Sequence, residues 1–258
     1  MAAKWYTLAV VLLVVSQPPT KNKWIETVKR IKHSIVPVAC GYVDERGKWI
    51  VADIEGSGFF VDRSGRFVTA KHVLDGLDAF AKAKHHCTPA IYIPDGGWGN
   101  TDVTKSIPLE YFNFGECHRV ASADLAVCQL KENPFSSPRL PTGSVQEVSF
   151  DTTEIADGTP IAFSGFPLQD TTPVTSIGNI AGRAVLDGSG FFYMIDKIAW
   201  PGASGSPVYN EDGRVVGIML RSGTDIATGI AYARCSATIV GILKKGAAAD
   251  EQKPRDKR

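Results

Sequence analysis

The chain has 258 residues, 44% of them hydrophobic and 21% charged, which supplies enough apolar material for a folded core and excludes a disordered, collagen-like or coiled-coil chain. Twenty-eight basic against 27 acidic side chains leave a net charge of +1, so nothing draws the whole molecule toward nucleic acid or an anionic membrane. The 25 glycines and 15 prolines are scattered, which suits many short strands joined by turns.

Lys4 precedes an apolar run from Trp5 to Val15 that stops at Ser16-Gln17-Pro18-Pro19. The run is too short for a ~20-residue membrane span and fits a secretory core of ~7–15 residues. Residues 1–16 are therefore read as a signal peptide and the chain as exported, secreted or periplasmic. An uncleaved membrane anchor is the lesser alternative, and cleavage leaves no stable membrane insertion. In residues 22–34, Ile25, Val28 and Ile31 recur three apart between lysines, a short amphipathic helix or an extended lead-in.

Short β-rich runs follow: Ile35 to Cys40, Trp49 to Val51, Gly58 to Val61 and Arg66 to Ala70, broken by turn signals at Asp44-Glu45-Arg46-Gly47 and Asp62-Arg63-Ser64-Gly65. Lys131 to Gly143, with Pro134, Pro138 and Pro141, has linker composition. A second set comprises Pro160 to Ser164, Val174 to Ile177, Phe191 to Ile195, Pro207 to Tyr209, Val215 to Leu220 and Gly229 to Ala233. The reading is all-β: a lead-in and first β unit over 22–143, a second unit over 144–245, and a disordered tail over 246–258.

Five cysteines stand at 40, 87, 117, 128 and 235, an odd number, so at least one is free or pairs outside the chain. His85-His86-Cys87 and Cys117-His118 offer zinc-type donors without the spacing of a zinc site, so no metal and no cofactor is expected. Cys87 and Cys117 form a disulfide or are ordinary loop residues.

Three segments can carry chemistry. His72 directly follows the strand-like run that ends at Ala70, and Asp124 opens the alternating run Leu125 to Leu130. Each alone is more often structural than catalytic. In Pro201-Gly202-Ala203-Ser204-Gly205-Ser206-Pro207, glycines flank a serine, so the backbone can bend tightly and turn N–H groups outward, as a nucleophile beside an oxyanion site requires. The order His72, Asp124, Ser204 is that of chymotrypsin-type triads, whereas α/β-hydrolases run serine, acid, histidine and want a glycine where Ser206 stands.

With these segments the sequence resembles the trypsin-like, chymotrypsin-fold serine peptidases, and among them the HtrA/Deg-like branch. Gly56-Ser57-Gly58-Phe59-Phe60-Val61 with Thr69 to Val73 resembles the strands leading to the catalytic histidine, and Asp124-Leu125-Ala126 the catalytic acid. Gly165-Phe166-Pro167, Asp196, Pro201 to Pro207 and Gly213 to Ile218 resemble the second half. The resemblance implies two six-stranded antiparallel β-barrels with the active site between them. His72, Asp124 and Ser204 would be catalytic, with the Gly202 and Ser204 N–H groups as the oxyanion hole. Ile198, Ala199 and Trp200, facing Met219, Leu220 and Arg221, would form the substrate pocket. It further implies a serine endopeptidase acting on polypeptide substrates, with no nucleic-acid partner. Ala203 replaces the aspartate that many animal relatives use in zymogen activation. The stretch after the last β run is short, so the PDZ domain that many HtrA-like proteins carry is not expected. An inert trypsin fold used as a scaffold is the competing reading.

Overall fold

The computed structural model describes residues 22–83, 87–102, 108–185, 190–222 and 229–251, without the side chains of 221, 222 and 247–251. The proposed signal segment and His85-His86 lie outside the described residues.

The lead-in is helix α1 (Lys23–Lys32), started by Asn22, whose side chain accepts from the Trp24 N–H. It leans on the second half of the molecule: Thr27 Oγ1 donates to Glu211 O at 2.8 Å, and Trp24 packs on Tyr209 with ring centroids 6.2 Å apart.

Strands β1 (Ile35–Val43), β2 (Trp49–Phe60), β3 (Arg66–Ala70), β4 (Thr88–Pro94), β5 (Leu109–Val120) and β6 (Leu125–Leu130) close into a barrel in the order β1-β2-β3-β6-β5-β4, every pairing antiparallel. Both turn signals act as read. Asp44 Oδ1 accepts from the Arg46 and Lys48 N–H groups with Gly47 at φ +76°, and Asp62 caps Ser64 with Gly65 at φ +86°. The run at 49–51 and residues 58–60 of the next prove to belong to one twelve-residue strand, β2, which stops one residue short of Val61. Two register shifts against β1 let it coil around the barrel.

Strands β7 (Ser149–Phe150), β8 (Pro160–Gly165), β9 (Val174–Val185), β10 (Phe191–Ile195), β11 (Pro207–Tyr209), β12 (Arg214–Ser222) and β13 (Ala231–Cys235) make the second half. Six of them form the ring β8-β9-β10-β13-β12-β11, closed by the β8–β11 pairing, and β7 adds to β12 in parallel. Helix α2 (Lys71–Ala83) follows β3, and helix α3 (Ser236–Glu251) follows β13. The tail assigned as disordered from 246 is thus helical as far as Glu251; 252–258 lie outside the description.

One apolar cluster fills the first barrel with Phe59, Phe60, Phe67, Tyr92 and Phe112 and continues through Phe166, Tyr209, Ile218 and Leu220, so the barrels share a packed boundary. A second cluster, including Ile161, Phe163, Ile180, Tyr193 and Val208, fills the other barrel. The segment read as a linker is anchored: Leu140 is buried, and Arg139 reaches Glu110, Glu132 and the Tyr111 carbonyl.

The cysteine reading needs correction. Cys87 pairs with Cys40 and Cys117 with Cys128, not with each other, and Cys235 is a buried free thiol. The first bridge links β1 to the residue that leads into β4, strands that meet only when the barrel closes, whereas the second staples the consecutive strands β5 and β6, where Cys117 and Cys128 are register partners.

Candidate active site

His72 and Asp124 are set by the end of one strand and the start of the next. Ala70 at the end of β3 pairs with Leu125 at the start of β6, so the residues beyond them emerge at the same rim of the barrel. Asp124 caps a 3-10 turn (Ala121–Ala123) in the left-handed region, φ 53° and ψ 42°, which a short polar side chain tolerates. From there both carboxylate oxygens reach the first turn of α2. Oδ1 accepts from the His72 N–H at 3.1 Å, and Oδ2 lies 2.7 Å from His72 Nδ1. The Lys71 N–H donates to the Asp124 carbonyl at 3.0 Å. A neutral imidazole held this way donates from Nδ1 and keeps Nε2 as its proton acceptor.

Ser204 sits on the loop between β10 and β11. Gly202 and Gly205 have φ +90° and +86°, and a Cβ on Gly202 would overlap the Phe166 carbonyl. The loop is tied internally by Ala203 N–H to Trp200 O at 2.9 Å and Ser206 N–H to Ala203 O at 3.1 Å, and to β12 by Gly205 N–H to Met219 O at 2.7 Å. Among the described residues the Gly202 and Ser204 N–H groups have no hydrogen-bond acceptor. They are two adjacent donors left open on one turn.

The loop meets the histidine rim through β2. The Ser57 N–H donates to the Ser204 carbonyl at 2.8 Å. A Cβ on Gly56 would lie 2.6 Å from a methyl of Val73, the neighbour of His72, and 3.0 Å from the same Ser204 carbonyl. All three predicted residues therefore gather at one end of the boundary between the barrels. In this state the Ser204 hydroxyl donates to the Leu220 carbonyl at 3.1 Å and not to His72.

Of the predicted pocket residues, Ile198 and Trp200 are exposed at 37% and 49%, whereas Ala199, Met219 and Leu220 are buried. Met219 and Ala199 belong to the inner cluster of the second barrel. The Arg221 side chain lies outside the described residues. Asp196 accepts from the backbone and side chain of Asn179, and these bonds hold its carboxyl below the usual range. No group of metal-ligating side chains occurs among the described residues.

Sequence reasoning passed over three residues of β2 that touch this region. Ser57 is wholly buried beside the nucleophile loop, and Asp53 is buried against Gln169. Glu55 lies between them along the strand, its carboxyl against Gly76 of α2. Burial, reinforced by a hydrogen bond to Asp53 and that neighbour's charge, pushes the Glu55 carboxyl up to about 7. The Gly-Ser-Gly of 56–58 was the available signal: the resemblance placed it on a strand leading to the histidine but gave Ser57 no part in the site.

The trypsin-like peptidase domain family matches residues 56–218, more than half of the chain. The protein belongs to that family. This trypsin-like peptidase domain is also 27% identical, over 183 residues, to a Synechocystis protein named "Putative serine protease HhoA"; the match covers 69% of this chain and 39% of that protein, so the chain spans about two fifths of its relative's length. Its fold is shared with the Rv3671c protease of M. tuberculosis, crystallised in an active form: TM-score 0.61, 17% identity, 95% of this chain and 94% of the other.

Proposed function

We propose that the protein is a serine endopeptidase that cleaves polypeptides through His72, Asp124 and Ser204. The observation that carries this reading is the two-pronged hold of Asp124 on His72, through the backbone N–H and Nδ1, beside a serine turn with two unengaged N–H donors. Asp124 keeps the imidazole in the tautomer whose Nε2 accepts a proton, and stabilises the imidazolium without being protonated itself. For attack, the Ser204 hydroxyl must leave the Leu220 carbonyl and turn toward Nε2. His72 then takes its proton as Oγ adds to the scissile carbonyl, and returns it to the departing amine. Gly202 and Ser204 N–H groups receive the oxyanion, each donor contributing ~3–4 kcal/mol by analogy with other hydrolases. Water resolves the acyl-enzyme by the same steps.

For the first subsite, Ile198 stands where relatives that prefer basic residues carry an aspartate. A lysine or arginine there would bury its charge without a partner, so a small or medium apolar P1 residue is preferred. Export of the mature domain belongs to the same proposal; no described helix is long and apolar enough to cross a membrane.

A fluorophosphonate probe tests the reading. It should label the wild-type protein once, at Ser204, and leave Ser204→Ala unlabelled. Absence of labelling in a folded wild type would return the chain to the scaffold reading.

A further inference from the structure

The oxyanion turn of the second barrel is held from outside, by the first. The Ser57 hydroxyl, fully buried on β2, donates to the Gly202 carbonyl at 2.8 Å and accepts from the Phe166 N–H at 2.9 Å. Phe166 begins a strap, residues 166–170, that runs under the turn: the Leu168 N–H donates to the Pro201 carbonyl at 2.7 Å. The far end of the strap returns to β2, where the Gln169 amide donates to the buried Asp53 carboxylate at 2.5 Å. Leu168 and Gln169 both sit at positive φ, 56° and 60°. Two consecutive non-glycine residues in that region cost roughly 1–2 kcal/mol each, a conformation that persists only where surrounding contacts impose it. Space has been kept for these contacts: a Cβ on Gly165 would overlap Ser206 Oγ and stand 2.5 Å from Ser57 Oγ, and one on Gly205 would overlap the Ser57 carbonyl.

We propose that Ser57, with the Asp53–Gln169 pair as a second anchor, is a positioning residue for catalysis: β2 of the first barrel fixes the direction of the Gly202 N–H through the 166–170 strap. Gly202 has its carbonyl bound by Ser57 while its N–H faces the oxyanion site. The Pro201–Gly202 peptide that carries that N–H is held at its carbonyl by Leu168. Both peptide groups flanking Gly202 are thus pinned by atoms that trace back to one strand. A glycine at φ +90° has no side chain to resist rotation, so without these bonds the donor has alternative orientations. The Ser57 N–H also holds the Ser204 carbonyl, so the same strand anchors the residue that carries the second donor of the pair. Ser57 contacts no substrate atom; its effect is on donors that work hardest when negative charge develops on the carbonyl oxygen, so it acts on kcat more than on substrate affinity.

This inference rests on the serine-peptidase reading, and the experiment separates the two. Wild type, Ser57→Ala and Gln169→Asn are compared for fluorophosphonate labelling, for kcat and KM on one peptide substrate, for inhibition by a peptide aldehyde whose hemiacetal oxygen occupies the oxyanion site, and for thermal midpoint. Ser57→Ala should lower kcat about 30-fold with KM within about twofold, and weaken the aldehyde by the same factor as kcat/KM. Gln169→Asn keeps a residue suited to the left-handed backbone but is one methylene too short for Asp53, and should lower both by about three- to fivefold. A folded Ser57→Ala with unchanged kcat and unchanged aldehyde affinity overturns the inference, even if its thermal midpoint falls, since that is the signature of a structural role alone. Should Ser57→Ala not fold, Gln169→Asn decides, being an exposed surface change: unaltered kcat and aldehyde affinity overturn the inference. An unlabelled, inactive wild type overturns the peptidase reading and this inference together.

Discussion

The two barrels give the site different kinds of parts. The first supplies side chains from the ends of regular elements: His72 from the first turn of α2, Asp124 from the start of β6, both fixed by the β3–β6 ladder. It also holds both disulfides. The second supplies backbone donors from a loop with two left-handed glycines, has no disulfide, and keeps Cys235 as a buried thiol. A side chain at the end of a ladder inherits its position from hydrogen bonds already made for the fold. A donor on a glycine turn inherits nothing, so it must be held by other contacts, and here those include Ser57 of the first barrel.

Mutations at the reacting groups should break the comparison most sharply. Ser204→Ala and His72→Ala should each lower kcat on the order of 10⁶-fold, as in other serine hydrolases, with the thermal midpoint little changed. Retention of most activity in either variant removes the triad. Asp124→Asn should cost ~10⁴ in kcat by presenting the wrong tautomer, with KM nearly constant.

The disulfides test whether stability is unevenly shared. They close sequence separations of 47 and 11 residues. By chain entropy alone these are worth about 4 and about 3 kcal/mol. Replacing Cys40 and Cys87 by alanine should therefore lower the urea midpoint more than replacing Cys117 and Cys128, and Cys235→Ala should have the smallest effect of the three. The reverse order would show that the first barrel does not depend on its long-range bridge.

Specificity sharpens the second barrel's side of the comparison. Lys and Arg at P1 should be disfavoured at least about tenfold in kcat/KM against Val, Leu, Ala or Met, about 1.4 kcal/mol. A P1 library scan with a basic optimum would mean that Ile198 does not floor the pocket, and an optimum at Glu would give that role to Arg221.

The smallest effect concerns pH. Glu55 is raised from 4.5 to about 7 chiefly by burial, so the folded state keeps a proton that the unfolded chain has released. For such a group the favourable contribution is complete below about 4.5 and is lost as pH climbs through about 7. Between pH 5 and 8, wild type should thus lose stability relative to Glu55→Gln, measured as the difference in urea midpoints. A difference that stays flat, or rises with pH, would show that Glu55 is ionised in the folded protein. Asp53 is the neighbouring acid that acts on it, by its hydrogen bond and its charge.

The triad candidates were readable because each lies in a local pattern: a strand run ending in His72, an alternating run opening with Asp124, and glycines around Ser204. The turns at Asp44 and Asp62 were readable for the same reason, since a carboxylate capping the N–H two residues ahead is a local device. The centre of β2 was not. Residues 52–57 carry no β-rich run of their own, yet the strand continues through them because β1 pairs along its length and the second barrel covers its face. The disulfide partners were hidden likewise: nothing between residues 40 and 87 indicates that β1 and β4 close the barrel.

Sequence alone thus determined the all-β class, the two-part division and the order His72, Asp124, Ser204, because periodicity, turn chemistry and motif order are properties of neighbours along the chain. Tertiary structure alone decided that Cys40 meets Cys87, that Met219 is core, that Ser57 reaches the Gly202 carbonyl and that Asp53 reaches Gln169. Those depend on barrel closure and on the packing of one barrel against the other, where residues more than a hundred positions apart become hydrogen-bond partners and no local pattern records the encounter.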